Sequence, residues 1–210
     1  MNPFPFPHAG AVGGGGALLE GTRPRVEGDR EQEIFDATLR VLEEVGYDRL
    51  TMDAVAAAAR ASKATLYRRW NGKVALVIDA LISMKAPHDV PDTGSLRGDL
   101  LAAFCGDGGL TDHSAVATFA SVLTAISLDE EFAAAFRDRV IGPKAAVGRQ
   151  VFERARDRGE LREGVDIDLL APALAGIMLH RLFLMGLPPD QETIARVVDQ
   201  IILPAALAHP

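Results

Sequence analysis

The sequence predicts an all-α protein, and three observations carry that expectation. Apolar residues recur at spacings of three and four along most of the chain, and cap-type residues stand where these stretches begin. No run alternates with the period of two that a half-buried strand requires. With 210 residues, 48% of them hydrophobic, there is ample material for a core.

Between residues 30 and 45, Ile34, Thr38, Val41 and Val45 form one stripe with Phe35, Leu39 and Leu42 beside it, the wide apolar face of a packed helix. Gly46 supplies its stop. Thr51 precedes MDAVAAAA, an Ala-rich run of high helix propensity, and its hydroxyl can cap a short second helix over 52–59. Ser62 is the next cap-type residue. A third helix, over 63–69, follows after only a few residues, the connection length of a helix-turn-helix. Asn71-Gly72 then breaks the chain. A fourth helix runs from Lys73 to about Lys85, with Leu76, Ala80 and Met84 on one side and Val77 and Leu81 on the next.

Pro87 and Pro91, with Asp89, Asp92 and Gly94, mark a break between two halves. Beyond it, helices are expected at about 95–105, 114–127, 129–158, 167–186 and 190–203. The long one, carrying Phe132, Phe136, Val140, Val147, Val151 and Phe152, is expected to kink near Gly142-Pro143, and the last to end at Pro204. Residues 1–28 contain seven Gly and four Pro, a composition that cannot bury enough surface to offset its ordering entropy. The expected organisation is a disordered tail over 1–28, a helix-turn-helix domain over 29–73 and a helical regulatory and dimerisation domain over 74–210.

Several function classes are disfavoured. Cys105 is the lone cysteine, which excludes an intramolecular disulfide framework and a multi-cysteine zinc site; in the apolar run LLAAFCG it reads as a small buried hydrophobe. His88, His113, His180 and His209 lack metal-ligand spacing, and neither HExxH nor GxSxG occurs, so no metal, cofactor or catalytic residue is expected. Gly13–Gly16 lack the following Gly-Lys-Ser/Thr of a phosphate-binding loop. The tail has no basic residue ahead of its Ala/Leu stretch, as a signal peptide would. The apolar segment Leu169–Pro188 carries His180 and Arg181 in its middle, against a membrane span. A cytoplasmic protein without membrane contact is expected.

Charge is divided unevenly. The formal net charge of −7 lies wholly in residues 86–210, with eleven basic against eighteen acidic side chains, while residues 29–85 carry nine of each. Inside that neutral stretch, Arg60 to Lys73 (RASKATLYRRWNGK) holds five positive charges and no acid. Arg60, Lys63, Arg68, Arg69 and Lys73 around Thr65, Tyr67 and Trp70 combine charge, hydroxyls and aromatic rings, the mixture that phosphate contact and base-edge readout require. The third helix is therefore the candidate DNA-recognition helix.

The run from Glu33 to Met84 resembles the N-terminal domain of the tetracycline-repressor (TetR/AcrR) family of bacterial transcriptional regulators. IFDATLRVLEEVGYDRLTMDAVAAAA, then ASKATLYRRW, then GKVALVIDAL carry the likeness. ERARDRGELREGVDIDLLAPALAGIMLHRLFL is similar, more loosely, to the C-terminal half of one subgroup. The resemblance implies an all-α homodimer on a palindromic double-stranded DNA operator, with the last two helices of each subunit in a four-helix interface. It puts Lys63, Thr65, Arg68 and Arg69 toward the major groove and Thr51, Ser62, Tyr67 and Lys73 on phosphates. Side-chain chemistry agrees, because arginine pairs bidentately with guanine while hydroxyls and lysine favour phosphate. Trp70 has two readings, a brace of the third helix against the first or a DNA contact. Where the family commonly has Gly-Val before the serine, this chain has Arg60-Ala61, so the turn is expected to use right-handed dihedrals, with Arg60 adding a phosphate contact.

Two further sites are expected. Ile194, Val198 and Ile201, with Leu174, Ile177 and Met178, offer apolar surface for the dimer interface. Phe104, Phe119, Leu123, Phe136 and Ile177, with His180 or Arg181 as polar anchor, are candidates for a ligand cavity, although core packing explains the phenylalanines equally well. The helix at 95–105 is the expected movable element that would carry ligand binding to the DNA. Thr22-Arg23-Pro24-Arg25 reads either as a minor-groove arm or as incidental charge. Three function classes follow: a repressor released by an apolar small molecule, a DNA-binding dimer with no such ligand, and a helical enzyme using the basic cluster on an anionic substrate.

Overall fold

A computed structural model of the chain describes residues 27–84, 90–106, 110–111 and 113–207. The Arg23–Arg25 arm, nearly all of the expected tail, Pro87, His88 and His209 lie outside the described residues. Among the described residues there is no strand, only an isolated antiparallel bridge between Leu161 and Leu207.

The helices are α1 (Glu27–Arg49), α2 (Met52–Ala58), α3 (Lys63–Arg69), α4 (Lys73–Ser83), α5 (Leu96–Cys105), α6 (His113–Leu128), α7 (Glu130–Phe136), α8 (Gly142–Asp157), α9 (Ile167–Leu170), α10 (Ala173–Met185), α11 (Gln191–Val197) and α12 (Leu203–Ala206). Gly46 does end the regular part of α1: at φ 76° and ψ 165° it leaves helical geometry, and Tyr47–Arg49 form a separate turn. Side-chain caps start α2, α3, α5, α7, α9 and α11, from Thr51, Ser62, Ser95, Asp129, Asp166 and Asp190 in that order.

Prolines act differently from expectation. A π-helical turn, Arg137–Ile141, joins α7 to α8, and a second, Val198–Ile202, joins α11 to α12. In each the closing amide reaches five residues back, Gly142 to the Arg137 carbonyl and Leu203 to the Val198 carbonyl. A proline follows each closing residue, and it has no N–H and a ring that crowds the carbonyl four positions earlier; the wider turn makes room for it. The kink near Gly142-Pro143 is thus a π turn, and Pro204 does not end the last helix, which continues to Ala206. The expected helix over 167–186 is broken at Ala171-Pro172 and closes on Gly186 in the left-handed region, φ 66°.

Packing gathers into two cores. The first joins α1–α4 to Val122 and Ala125 of α6, Phe132 and Phe136 of α7, and Val140. The second joins Leu96 and Leu100 of α5 to α8, α10, α11 and Ile202. Leu76, Val77 and Ile78 of α4 belong to the first core, so packing runs on without a gap across the boundary expected at 73/74. The elements that bear on the N-terminal helices are α6, against α1, and α7 with the following π turn, against α4. α5 packs chiefly on α8, α11 and the second π turn, and residues 85–89 of its connection to α4 lie outside the described residues.

A buried ionic cluster secures α5. Asp99, fully buried, accepts from the Thr93 amide (2.6 Å), the Thr93 hydroxyl (2.8 Å) and Arg158 Nη2 (3.0 Å). Glu160 accepts from Arg158 and from the Leu96 amide at 2.8 Å. Burial pushes the Asp99 carboxyl upward, but the Thr93 and Arg158 hydrogen bonds outweigh it and hold the group below its ordinary value. A depressed folded pKa stabilises the fold above the unfolded value, and that stability is lost as pH falls through the folded one. Asp99→Asn is therefore expected to cost about 1.5–3 kcal/mol in urea denaturation near neutral pH. It should also flatten the loss of stability below about pH 4. Equal acid sensitivity in the variant and the wild type would contradict this.

Candidate nucleic-acid interface

The recognition unit is built from short helices that cannot stand alone, so its geometry depends on caps and two buried anchors. Thr51 Oγ1 accepts from the Ala54 amide (3.1 Å) and Ser62 Oγ from the Thr65 amide (3.1 Å), fixing the starts of α2 and α3. Both residues are exposed. Within α3 only Leu66 is buried, and Trp70, 3% exposed, closes the helix from below. Trp70 stacks edge-on against Phe35 of α1, centroids 5.8 Å apart, and donates Nε1–H to Asp79 Oδ2 at 2.9 Å. It braces α3 against α1 and α4.

With Leu66 and Trp70 facing inward, Lys63, Tyr67, Arg68 and Arg69 face solvent and Thr65 is half-buried beside Ser62, the two hydroxyls 2.8 Å apart. Tyr67 is 57% exposed, unusual for a ring with no packing duty. The cations differ in availability. Lys63 pairs with Asp53 of α2, and Arg69 with Glu31 of α1 at 2.9 Å while lying 5.8 Å from the Trp70 ring centre. Lys73 donates to the Tyr47 carbonyl (3.2 Å) and sits 4.1 Å from the Tyr47 ring centre. Arg60 and Arg68 have no ion pair among the described residues.

The turn between α2 and α3 departs from expectation. Arg60 has φ 50°, the one non-glycine in the left-handed region among the described residues, and not a right-handed conformation. The α2 helix ends in a Schellman pair, Ala61 N–H to Ala56 O (2.8 Å) and Arg60 N–H to Ala57 O (3.1 Å), which requires a left-handed residue between them.

Sequence reasoning missed what connects this unit to the rest. Tyr47 donates its hydroxyl to Asp129 Oδ2 (2.9 Å) and packs on Phe132, centroids 4.5 Å apart; Thr118, buried on α6, donates to Glu43 Oε1 at 2.7 Å. Burial, then the Asp129 hydrogen bond, push the Tyr47 phenol up; the Phe132 amide, then Tyr47 and Lys73, hold Asp129 down. From Tyr47 the rings continue through Phe132, Phe136 and Phe119 to Phe183 of α10, each step 4.5–6.0 Å. The only sequence signal was Gly46-Tyr47, which reads as a turn and says nothing of a partner 82 positions away.

The expected cavity residues are not brought together. Phe119 and Phe136 lie 6.0 Å apart at the first core, and Leu123 is half-buried on the same helix as Phe119. Phe104 and Ile177 pack against the second core, and His180 is exposed. Arg181 is half-buried, with Nε sealed from solvent and lacking a hydrogen-bond partner among the described residues. The expected dimer stripe needs correction: Leu174, Met178, Ile194 and Val198 are buried in the subunit's own core, leaving only Ile201, 49% exposed, to face outward.

Comparison with known proteins fits this geometry. Residues 34–80 match the profile described as bacterial regulatory proteins, tetR family, and residues 90–201 the tetracyclin repressor-like C-terminal domain. An HTH-type transcriptional regulator of Mycobacterium tuberculosis strain H37Rv is 38% identical over 188 residues, 88% of this chain and 91% of its own. The DNA-binding transcriptional repressor TetR of Mycobacteroides abscessus is 36% identical over 180 residues, 83% and 92% of the two chains. The crystal structure of the TetR family transcription regulator SCO0332 superposes with a TM-score of 0.64 at 28% identity, covering 87% of this chain and all of that one.

Proposed function

Because the chain belongs to the tetR family of bacterial regulatory proteins, DNA-binding transcriptional regulators rather than enzymes, we propose that it is a cytoplasmic homodimeric repressor that leaves a palindromic operator when an apolar small molecule binds. The observation that carries the DNA half of this reading is the outward face of α3, where Tyr67, Arg68 and Arg69 stand over the buried Leu66 and Trp70. Arg68 has no ion pair among the described residues and is free to reach a base edge; Arg69 must first leave Glu31. Lys63 and Thr65 are proposed to face the major groove beside Arg68 and Arg69, while Thr51, Ser62, Tyr67 and Lys73 hold the DNA backbone and orient α3.

Selection of bound duplexes from a random library tests this. An inverted repeat is expected, its half-site centres one helical turn, roughly 34–36 Å, apart or somewhat more. Arg68→Ala should relax preference at one base position by about 1–3 kcal/mol, whereas Tyr67→Phe should weaken all sequences alike. Recovery of no inverted repeat would sink the reading.

The ligand half is supported by Arg181, whose sealed Nε lacks an acceptor among the described residues, and by the ring series from Phe183 through Phe119 to Tyr47, an apolar route between α10 and the DNA-binding helices. A ligand releases DNA only if it binds the non-binding conformation more tightly. The Tyr47–Asp129 and Glu43–Thr118 bonds are the polar contacts through which movement of α6 and α7 would reach α1. The proposed dimer surface is the outer face of α10, with Leu169, Leu184, Met185, Leu187 and Ile201.

A further inference from the structure

Arg60 occupies a backbone position that suits glycine, and its side chain is the part of it that the fold does not use. A left-handed residue is required there by the Schellman closure of α2, and any Cβ-bearing residue is strained at φ 50°. The strain is held in place by one long-range contact: Arg30 Nη2 of α1 donates to the Arg60 carbonyl at 2.9 Å, while Arg30 Nη1 pairs with Glu33. The Arg60 N–H and C=O are thus both engaged, yet the residue is exposed and its guanidinium meets no carboxylate among the described residues. It stands two residues before the cap of α3, on the rim of a polar groove whose opposite wall is Arg30, Glu33, Asp36 and Arg40 of α1.

We propose that Arg60 is a DNA-backbone contact flanking the recognition helix, that the chain keeps it at a cost in turn stability, and that Arg30 is the positioning residue that holds the turn. The proposal rests on the operator-binding reading. A guanidinium that pairs bidentately with phosphate explains why an arginine, rather than the easier glycine, stands at this position. Because the contact is to the backbone, it carries affinity and no sequence preference.

The test uses full-length protein, the duplex recovered by selection and a scrambled duplex of equal length, each at two or more salt concentrations. Arg60→Gly is expected to weaken both duplexes by the same factor and to make the salt dependence shallower by about one counterion for each subunit. The same variant should melt about 2–4 °C higher, because the strain is gone. Arg60→Lys keeps charge and strain, so it should retain most of the salt dependence with no gain in Tm. Arg30→Ala should lower Tm in the wild type and do so less in the Arg60→Gly background. An unchanged salt slope in Arg60→Gly, with the wild type still selecting its operator, overturns the contact. Equal Tm losses from Arg30→Ala in both backgrounds overturn the positioning role. A wild type that selects no inverted repeat overturns this proposal and its parent reading together.

Discussion

Leu184→Asp is expected to leave a folded subunit that no longer dimerises and no longer holds its operator. Leu184 is 74% exposed and Met185 60% exposed on α10, with Leu169 at 69% one end along. Gly176 and His180, eight and four residues before Leu184, lie on the same exposed side, and a Cβ at Gly176 would meet nothing within 4 Å. An 18-residue window within Ile167–Met185 has a mean hydropathy of 1.6 with only 17% of its residues buried, and its exposed large side chains, Leu169, Leu184 and Met185, are the apolar surface a partner would cover. Family members act as dimers, and a two-fold axis against this face would cover it with itself. Each interface would then contain two aspartates, and burying unpaired charges costs several kcal/mol apiece. A monomer grips one half-site, so affinity should fall about a hundredfold or more, toward the non-specific range of ~10⁻⁴–10⁻⁶ M. Light scattering and operator titration on one preparation check this. Ile201→Asp should act in the same direction from the edge of the face. Leu174→Asp should instead unfold the second core, because Leu174 is 1% exposed within the subunit. A Leu184→Asp protein that stays dimeric moves the interface elsewhere.

That contrast shows where sequence reasoning reached and where it stopped. The DNA-binding helices were legible because their signals are local: Thr51 and Ser62 cap the residues that follow them and Gly46 leaves helical geometry, whereas Trp70, open to two readings in the sequence, is settled as a brace by its burial. α10 gave the opposite situation. Its residues are apolar nearly all round, so periodicity identifies a helix but not which side the subunit buries, and Leu174 and Met178 were assigned to the partner's side. Nothing in LRGDLLAAFC marks Asp99 as buried, because its burial depends on Arg158, 59 residues on. The left-handed Arg60 left no trace in an Ala-rich helix end without glycine, because the Arg30 bond that holds it spans 30 positions. Pro204 was read as a terminator because a π turn that absorbs a proline has no compositional mark.

Trp70→Ala is expected to cost about 3–5 kcal/mol, the range for truncating a fully packed aromatic core residue. The indole fills the space between α3, α1 and α4, and its removal leaves a cavity beside Phe35 along with the loss of the Nε1–Asp79 bond. Asp79 keeps Arg139 Nη2 at 2.7 Å, so the carboxylate is not orphaned and the packing loss dominates. Trp70→Phe separates the terms: the ring stays, the N–H goes, and about 1 kcal/mol should be lost. The functional consequence follows from the length of α3. A seven-residue helix has no stability of its own, and with Trp70 gone only Leu66 holds it to the core. Operator affinity should therefore fall together with the denaturation midpoint in Trp70→Ala, and both should stay near wild type in Trp70→Phe. The same pair of measurements decides between the two roles open to this residue from sequence. A Trp70→Ala protein that unfolds like the wild type but binds DNA poorly would make the indole a DNA contact; loss of both together is what a brace of the recognition helix requires.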